Sequence, residues 1–321
     1  MVTDQDIIEA AIAIHRGGLV AFPTETVYGL GANAFDAVAV AGIFEIKGRP
    51  RFDPLIVHVA EPAEVSDVAT CVPPLAIKLI EEFWPGPLSL VLEKQPCVPD
   101  IVTAGLSSVA VRCPAHDLAR KLIRAAGVPF AAPSANRFGA ISPTTAAHVV
   151  EQFGDQLPIV LDDGPCRIGV ESTVISFVDS PDGCPTLLRP GGVSLEEIEK
   201  IVGAVTIRVH EEWRPASPGQ LLRHYSPATR LVLATDELPA VERERQKKVG
   251  LLSFQRPISS VGFSAIEVLS EQGCFREAAV NLFAALRRLD ALGLDLIIAR
   301  PVPELELGLA IMDRLRRGAA R

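Results

Sequence analysis

Apolar and polar positions along this chain switch between a helical and an extended period. Thr3 followed by Asp6 reads as a helix N-cap, and Ile7, Ile8, Ala11, Ile12 and Ile14 then form an apolar helical stripe that Gly17-Gly18 ends. Residues 19–22 are a short, continuously apolar run, the pattern of a buried strand. A second helix is predicted from near Ala37 to Lys47. Strand-like runs follow at residues 55–59, 88–92, 109–112, 129–132, 159–161 and 173–177, with helical stretches such as 117–126 and 144–153 between several of them. Strands and helices at this spacing predict an α/β domain with an open, twisted sheet. Some connections are too short for a parallel crossover, so the sheet is expected to be mixed.

The pattern changes between Val209 and Pro227. Residues 213–220, WRPASPGQ, hold two prolines and a glycine without periodicity and read as a linker. Beyond it, residues 231–234, 249–254 and 294–299 are strand-like, 275–292 form a helix between the last two, and 307–317 form a C-terminal helix with a basic tail. The expected organisation is a first domain at residues 1–208, a linker at 209–228 and a smaller α/β domain at 229–321.

Composition narrows the function classes. With Lys plus Arg at 31 and Asp plus Glu at 39, the net charge is −8, which argues against a chain that binds nucleic acid non-specifically over its whole surface. A local basic cleft remains compatible with it. The six cysteines form no C-x-x-C pair, so zinc and redox motifs of that type are absent. The N-terminal segment is charged and amphipathic, unlike a signal peptide, and no run approaches about 18 consecutive apolar residues. A reduced cytoplasmic location without membrane contact is the expectation.

Candidate chemistry gathers in a few segments. PTETVYGLG, residues 23–31, places hydroxyls, a carboxylate and glycines just after a strand, where a ligand can approach the backbone; the plain alternative is an ordinary connecting loop. Lys47, Arg49 and Arg51 lie at a helix end. Such cations suit the helix dipole, and they also suit a phosphate clamp, with Lys as a point charge and Arg as a bidentate fork. His58 sits mid-strand among apolar residues, a setting more typical of a core histidine than of a ligand. Arg112 is flanked by Val111 and Cys113 and needs an anion, from the protein or from a substrate. Residues 131–136, AAPSAN, and Ser142 cluster polar groups after another strand, either as helix caps or as a nucleotide site. GVEST at 169–173, LRPGG at 188–192 and SPGQLLRHYSP at 217–227 complete the set. No Walker A loop, G-x-G-x-x-G or G-x-S-x-G elbow is present. From the residues alone, this is an α/β protein with an anion site.

The blocks PTETVYGLG, KGRP with DPLIVHV, FWPGPLSLVL, SSVAVRCP, APSAN, ESTV and LRPGG, in that order, resemble the YrdC-like threonylcarbamoyl-AMP synthase family. SPGQLLRHYSP and the C-terminal ELGLAIMDRL resemble its long, two-domain branch, so the resemblance covers nearly the whole chain. It implies an open twisted mixed sheet of YrdC type and a smaller Rossmann-like C-terminal α/β domain. It also implies a nucleotidyltransferase that makes threonylcarbamoyl-AMP and pyrophosphate from L-threonine, bicarbonate and ATP, with Mg²⁺ accompanying ATP and no dedicated protein metal site. The product would pass to a tRNA threonylcarbamoyl transferase system, with a weak RNA contact as a further partner. By the same resemblance, Lys47 and Arg49 would be catalytic. Arg49, Asp53, Ser108, Ser134, Asn136, Ser142, Arg189 and Tyr225 would contact ATP, and Thr26, His58, Arg112, Ala132 and Ser172 would contact threonine. His224 and Tyr225 would lie on a linker folded over the site. Asp53 departs from the family, where Asn is common before Pro-Leu. Three other readings stand beside this one. The first is an RNA-binding module. The second is a carbamoylation enzyme of the hydrogenase-maturation type, which carries zinc-type Cys motifs that are absent here. The third is a degenerate homologue that binds nucleotide without turnover, against which the intact Lys47, Arg49, Ser134 and Asn136 argue.

Overall fold

The structure, a computed structural model, describes residues 2–178, 184–208, 224–234 and 248–320. The predicted linker segment 213–220 and the start of SPGQLLRHYSP lie outside the described residues. The first domain carries strands β1 (Val20–Phe22), β2 (Gly29–Asn33), β3 (Ile56–His58), β4 (Leu88–Glu93), β5 (Ser108–Arg112), β6 (Phe130–Ala131), β7 (Thr173–Ser176), β8 (Thr186–Arg189) and β9 (Thr206–Ile207). They join in one nine-stranded sheet of order β1-β2-β6-β3-β5-β4-β7-β8-β9. β3 runs parallel to β5 and β4 parallel to β7, while β4–β5, β2–β6 and β7–β8 are antiparallel. The sheet is therefore mixed, as the short connections require.

Its helices are α1 (Asp4–His15), α2 (Ala37–Lys47), α3 (Pro74–Phe83), α4 (Asp100–Thr103), α5 (Asp117–Ala126), α6 (Ala146–Phe153) and α7 (Leu195–Val202). Thr3 and Asp6 close a reciprocal capping box at the start of α1. Only part of the expected α1 stripe is buried. Ile7, Ala10, Ala11 and Ile14 face inward, whereas Ile8 and Ile12 are exposed, because one face of a 3.6-residue period takes positions 7, 11 and 14 but not 8 and 12. α2 ends at Lys47 because Gly48 adopts the left-handed conformation at φ 62°, and that cap delivers Lys47 and Arg49 to the same corner of the domain.

The second domain holds β10 (Leu231–Leu233), β11 (Val249–Ser253), β12 (Ala265–Val268) and β13 (Leu296–Ala299) in a parallel sheet of order β10-β13-β11-β12. Helices α8 (Phe275–Asp290) and α9 (Gly308–Ala319) pack on it. One apolar cluster crosses the domain boundary. Val27, Ile141 and Val170 of the first domain share a core with Leu282, Phe283, Ile311 and Leu315 of the second. Gly169, at φ 79°, lies so close to α8 that an added Cβ would sit 2.4 Å from the carbonyl oxygen of Ala279. The second domain thus docks directly on the loop that leads into Glu171 and Ser172.

Candidate active site

Strand direction brings the motif blocks to one edge of the sheet. His58 and Arg112 end the parallel strands β3 and β5 in register. Ser172 precedes the start of β7, which lies beside the start of β4, and Arg189 ends β8 next to Val174. These positions surround a cavity of about 530 Å³ lined by Thr24, Thr26, Val27, Gly29, Arg49, Ile56, His58, Arg112, Ala132, Pro133, Ser134, Glu171, Ser172, Arg189, His224 and Tyr225.

Arg112 shows how local sequence builds the wall. The PTET turn is fixed by Thr24, whose Oγ1 accepts from the amides of Thr26 and Val27 and donates to the Val27 carbonyl at 2.6 Å. This turn presents Thr26 Oγ1 to Arg112 Nη1 at 2.9 Å and Glu25 Oε1 to Arg112 Nη2 at 2.6 Å. The anion that Arg112 requires is thus Glu25 in the unliganded protein, both being almost fully buried. His58 beside it is pushed down to about 3, by burial first and then by the Arg112 charge, so its ring is neutral. Ala132 joins the wall where its amide donates to Ile56.

A second group of cations comes from the end of α2. Arg49 donates Nε to the Asp53 carbonyl at 3.1 Å and Nη2 to that of Pro54 at 2.8 Å, and Nη2 lies 2.9 Å from Asp53 Oδ2. The Asp53 carboxylate is therefore accommodated inside the protein by a buried ion pair. Burial raises the Asp53 pKa against the pull of Arg49, Lys47 and Arg189. Lys47 is buried behind the wall. Its ammonium donates to the carbonyls of Ser134 and Asn136, and burial, with the neighbouring Arg49, depresses its pKa well below the usual lysine value. Asn136 donates Nδ2 to Arg137 and Ala140, which leaves its buried Oδ1 without a partner.

On the far wall, Arg189 donates Nη2 to the carbonyl and hydroxyl of Ser172 at 2.8 and 3.0 Å, and Ser172 meets Ser89 at 2.8 Å. Ser142 donates to Glu171 Oε1 at 2.5 Å. Gly191 permits this wall, since an added Cβ would lie 2.3 Å from the Glu171 carbonyl oxygen. The end of SPGQLLRHYSP closes the cavity. Tyr225 stacks on Phe283 with centroids 5.6 Å apart and holds the left-handed φ of 62°, unusual for an aromatic residue. His224 meets Phe138 edge-on and, like His58, is pushed down to about 3, chiefly by burial.

Of the residues expected from the resemblance, Thr26, Arg49, His58, Arg112, Ala132, Ser134, Ser172, Arg189 and Tyr225 line the cavity. Lys47, Asp53, Asn136 and Ser142 stand directly behind its wall through the contacts above. Ser108 does not. It starts β5, on the same strand face as Ala110 and Arg112 but toward the other end of the strand. Glu25 and Glu171 lie in the PTETVYGLG and GVEST blocks without an assigned role, and Arg314 lies outside every candidate-chemistry block. Arg112 signalled the need for an anion, yet nothing in the sequence chose Glu25, and the pairing of Arg314 with Glu171 spans 143 residues.

Fold and site together define an α/β protein with a pocket lined by three buried arginines, Arg49, Arg112 and Arg189. A family model described as telomere recombination, covering the Sua5, YciO and YrdC group, matches residues 12–191, and one described as the threonylcarbamoyl-AMP synthase C-terminal domain matches 193–320. The chain is 47% identical to the threonylcarbamoyl-AMP synthase of Pyrococcus abyssi, over 97% of this chain and 93% of that one. It is 40% identical to that of Bacillus subtilis, over 98% and 93%. The crystal structure of P. abyssi Sua5 complexed with L-threonine superposes with a TM-score of 0.92 at 45% identity, covering 99% of this chain and 95% of that one. The chain belongs to the threonylcarbamoyl-AMP synthase family. Among the described residues, no helix is long and apolar enough to cross a membrane.

Proposed function

We propose that this chain is a nucleotidyltransferase that makes threonylcarbamoyl-AMP and pyrophosphate from L-threonine, bicarbonate and ATP, for threonylcarbamoyladenosine modification of tRNA. The observation that carries this reading is one pocket lined by three buried arginines, Arg49, Arg112 and Arg189, each from a different motif block. Arg112 and Thr26 would take the threonine carboxylate. Arg49, Ser134 and Arg189, backed by Lys47 and Asn136, would take the triphosphate. The threonine amine bonds to the bicarbonate carbon and water leaves. The new carboxylate then attacks the α-phosphorus, and the bond to the departing pyrophosphate breaks. The substrates make their own nucleophile, so the protein has only to position anions and offset developing charge. Proximity supplies about 7–11 kcal/mol when geometry is good, and preorganised cations add to it.

Mg²⁺ would enter on the phosphate oxygens of ATP. Among the described residues, no group of three or more His, Cys, Asp or Glu side chains is placed to hold a metal, and the Asp53 carboxylate is held by Arg49. The ion would neutralise charge on the leaving pyrophosphate. The direct test is pyrophosphate release from ATP, with threonine and bicarbonate each omitted in turn. Release should require both; release that ignores threonine would remove the assignment.

A further inference from the structure

The second domain places a buried charge directly behind the site wall. Arg314 lies on α9, is 1% exposed, and is among the largest fully buried side chains. Its Nε donates to Glu171 Oε2 at 2.7 Å, and its Nη1 donates to the Pro190 carbonyl at 3.0 Å and to Asp313 Oδ2 at 2.6 Å. Its guanidinium carbon stands 5.0 Å from the centre of the Tyr225 ring. Asp313 is steadied in turn by Arg317, one helical turn further on, at 2.9 Å. α9 also packs tightly on the backbone of the linker: an added Cβ at Gly318 would lie 3.1 Å from the Tyr225 carbonyl oxygen.

Three carboxylates stand in or behind the cavity wall. Glu25 is neutralised by Arg112 and Asp53 by Arg49, both partners coming from the first domain. Glu171 lines the cavity itself, and its partner comes from the other domain. Burial opposes ionisation of Glu171, but Arg314, Arg189 and the Ser142 hydroxyl outweigh it and hold the group below the usual carboxylate value. Without Arg314, a carboxylate would face the space assigned to a polyphosphate.

We infer that Arg314 is a positioning residue for the nucleotide: it neutralises Glu171 and fixes Tyr225, so that the second domain completes an anion site built in the first. The inference rests on the nucleotide reading given above. It differs from a simple structural staple because the effect is specific to charge and to one substrate. Removing one partner of a buried, hydrogen-bonded pair penalises the remaining charge, and here that penalty falls on the anionic ligand.

The experiment is calorimetric binding of ATP with Mg²⁺, and of threonine, to the full chain, each without the other substrates. Arg314→Met should weaken ATP by about 10-fold or more while threonine changes by less than about threefold. Arg314→Lys should recover part of the loss. The double variant Arg314→Met/Glu171→Gln should return ATP affinity to within about threefold of the parent, because the exposed carboxylate is gone. Equal loss of both ligands with no recovery in the double variant, or unchanged ATP binding in Arg314→Met, overturns the inference. Should Arg314→Met not fold, Glu171→Gln alone decides: ATP affinity equal to or above that of the parent supports the inference, and a clear loss sinks it. A parent protein that binds no ATP fails the functional reading itself, which is a different result from any of these.

Discussion

Two of the hollows among the described residues invite comparison, and the larger of the two is the less informative. A cleft of about 1270 Å³ lies between the domains, lined by Phe83, Arg167, Glu197, Lys200, Arg276 and Glu306 among others. The site cavity, at about 530 Å³, is less than half that size. Their charges differ in kind. In the cleft, Arg276 and Glu197 stand 3.8 Å apart with side chains 80% and 41% exposed. Water can replace either partner there, and such pairs contribute about 0–1 kcal/mol. In the cavity, Arg49 and Asp53 are 3% and 0% exposed, and Arg112 and Glu25 are 4% and 3%. Burying those charges costs several kcal/mol per ion before pairing offsets it. A chain selected only for stability would fill such positions with apolar side chains. Buried, paired charge around a pocket therefore marks a candidate functional site better than volume does.

The sharpest way to break this comparison is to remove charge from each hollow. Lys47→Ala and Arg49→Ala should each lower turnover by about 10²–10³ or more, since on the proposed reading Arg49 would meet charge developing on the phosphates and Lys47 would hold the segment 134–136 that receives them. Lys200→Ala and Arg276→Ala, in the cleft, should change turnover by less than about twofold. Steady-state pyrophosphate release reads all four. Comparable losses in the two hollows would show that burial does not separate function from surface.

Much of this contrast was legible in the sequence, and its gaps have physical causes. β1, β3, β4, β5 and α2 followed from apolar runs, and the motif blocks fell at one sheet edge as segments that follow strands do. β2 was read as part of a loop because PTETVYGLG carries glycines. Those glycines admit the Phe22 ring, and an added Cβ at Gly31 would lie 2.8 Å from it. Residues 159–161 were read as a strand. Only Val160 forms an isolated bridge, to Ala21, with Pro158 and Asp162 flanking the segment. β12 escaped notice because its residues are all half-buried and include Glu267, so the run lacks the apolar signature of a core strand. The cations of the site could be read from local spacing. Their counter-ions could not, because Glu25, Glu171 and Arg314 find their partners through tertiary contacts that no local period encodes.

The cavity also holds groups it keeps neutral, and these give a smaller, pH-dependent effect. His58 and His224 are both pushed to about 3 by burial. Above pH 6.5 each is neutral whether the chain is folded or not, so neither affects stability. As pH falls below 6.5 the unfolded chain takes up a proton that the folded one refuses. Each histidine then lowers stability by about 1.4 kcal/mol per pH unit, down to roughly pH 3. Urea unfolding between pH 6.5 and 5 should show His58→Asn with a slope shallower than the parent's by about that amount. Equal slopes would mean that the folded cavity admits the proton, and that it is wetter than its burial implies.

The last effect concerns Asp53, whose buried carboxylate pairs with Arg49. The Asp53 carboxylate is fully buried, and the pair it forms with Arg49 leaves the Arg49 hydrogen bonds to the Asp53 and Pro54 carbonyls independent of the side-chain charge. Asp53→Asn therefore keeps Arg49 in place while removing one negative charge from behind the phosphate site. The unliganded protein should lose about 1–3 kcal/mol, because Arg49 is left without its anion. ATP would supply that anion, so its KM should fall about two- to fivefold with kcat within about threefold. Asp53→Ala, which offers no acceptor at all, should be the less stable of the two. A KM that instead rises tenfold or more in Asp53→Asn would place the carboxylate in direct service to the nucleotide, for example on its Mg²⁺, and the pair with Arg49 would then be the resting arrangement of a group that changes partner when ATP arrives.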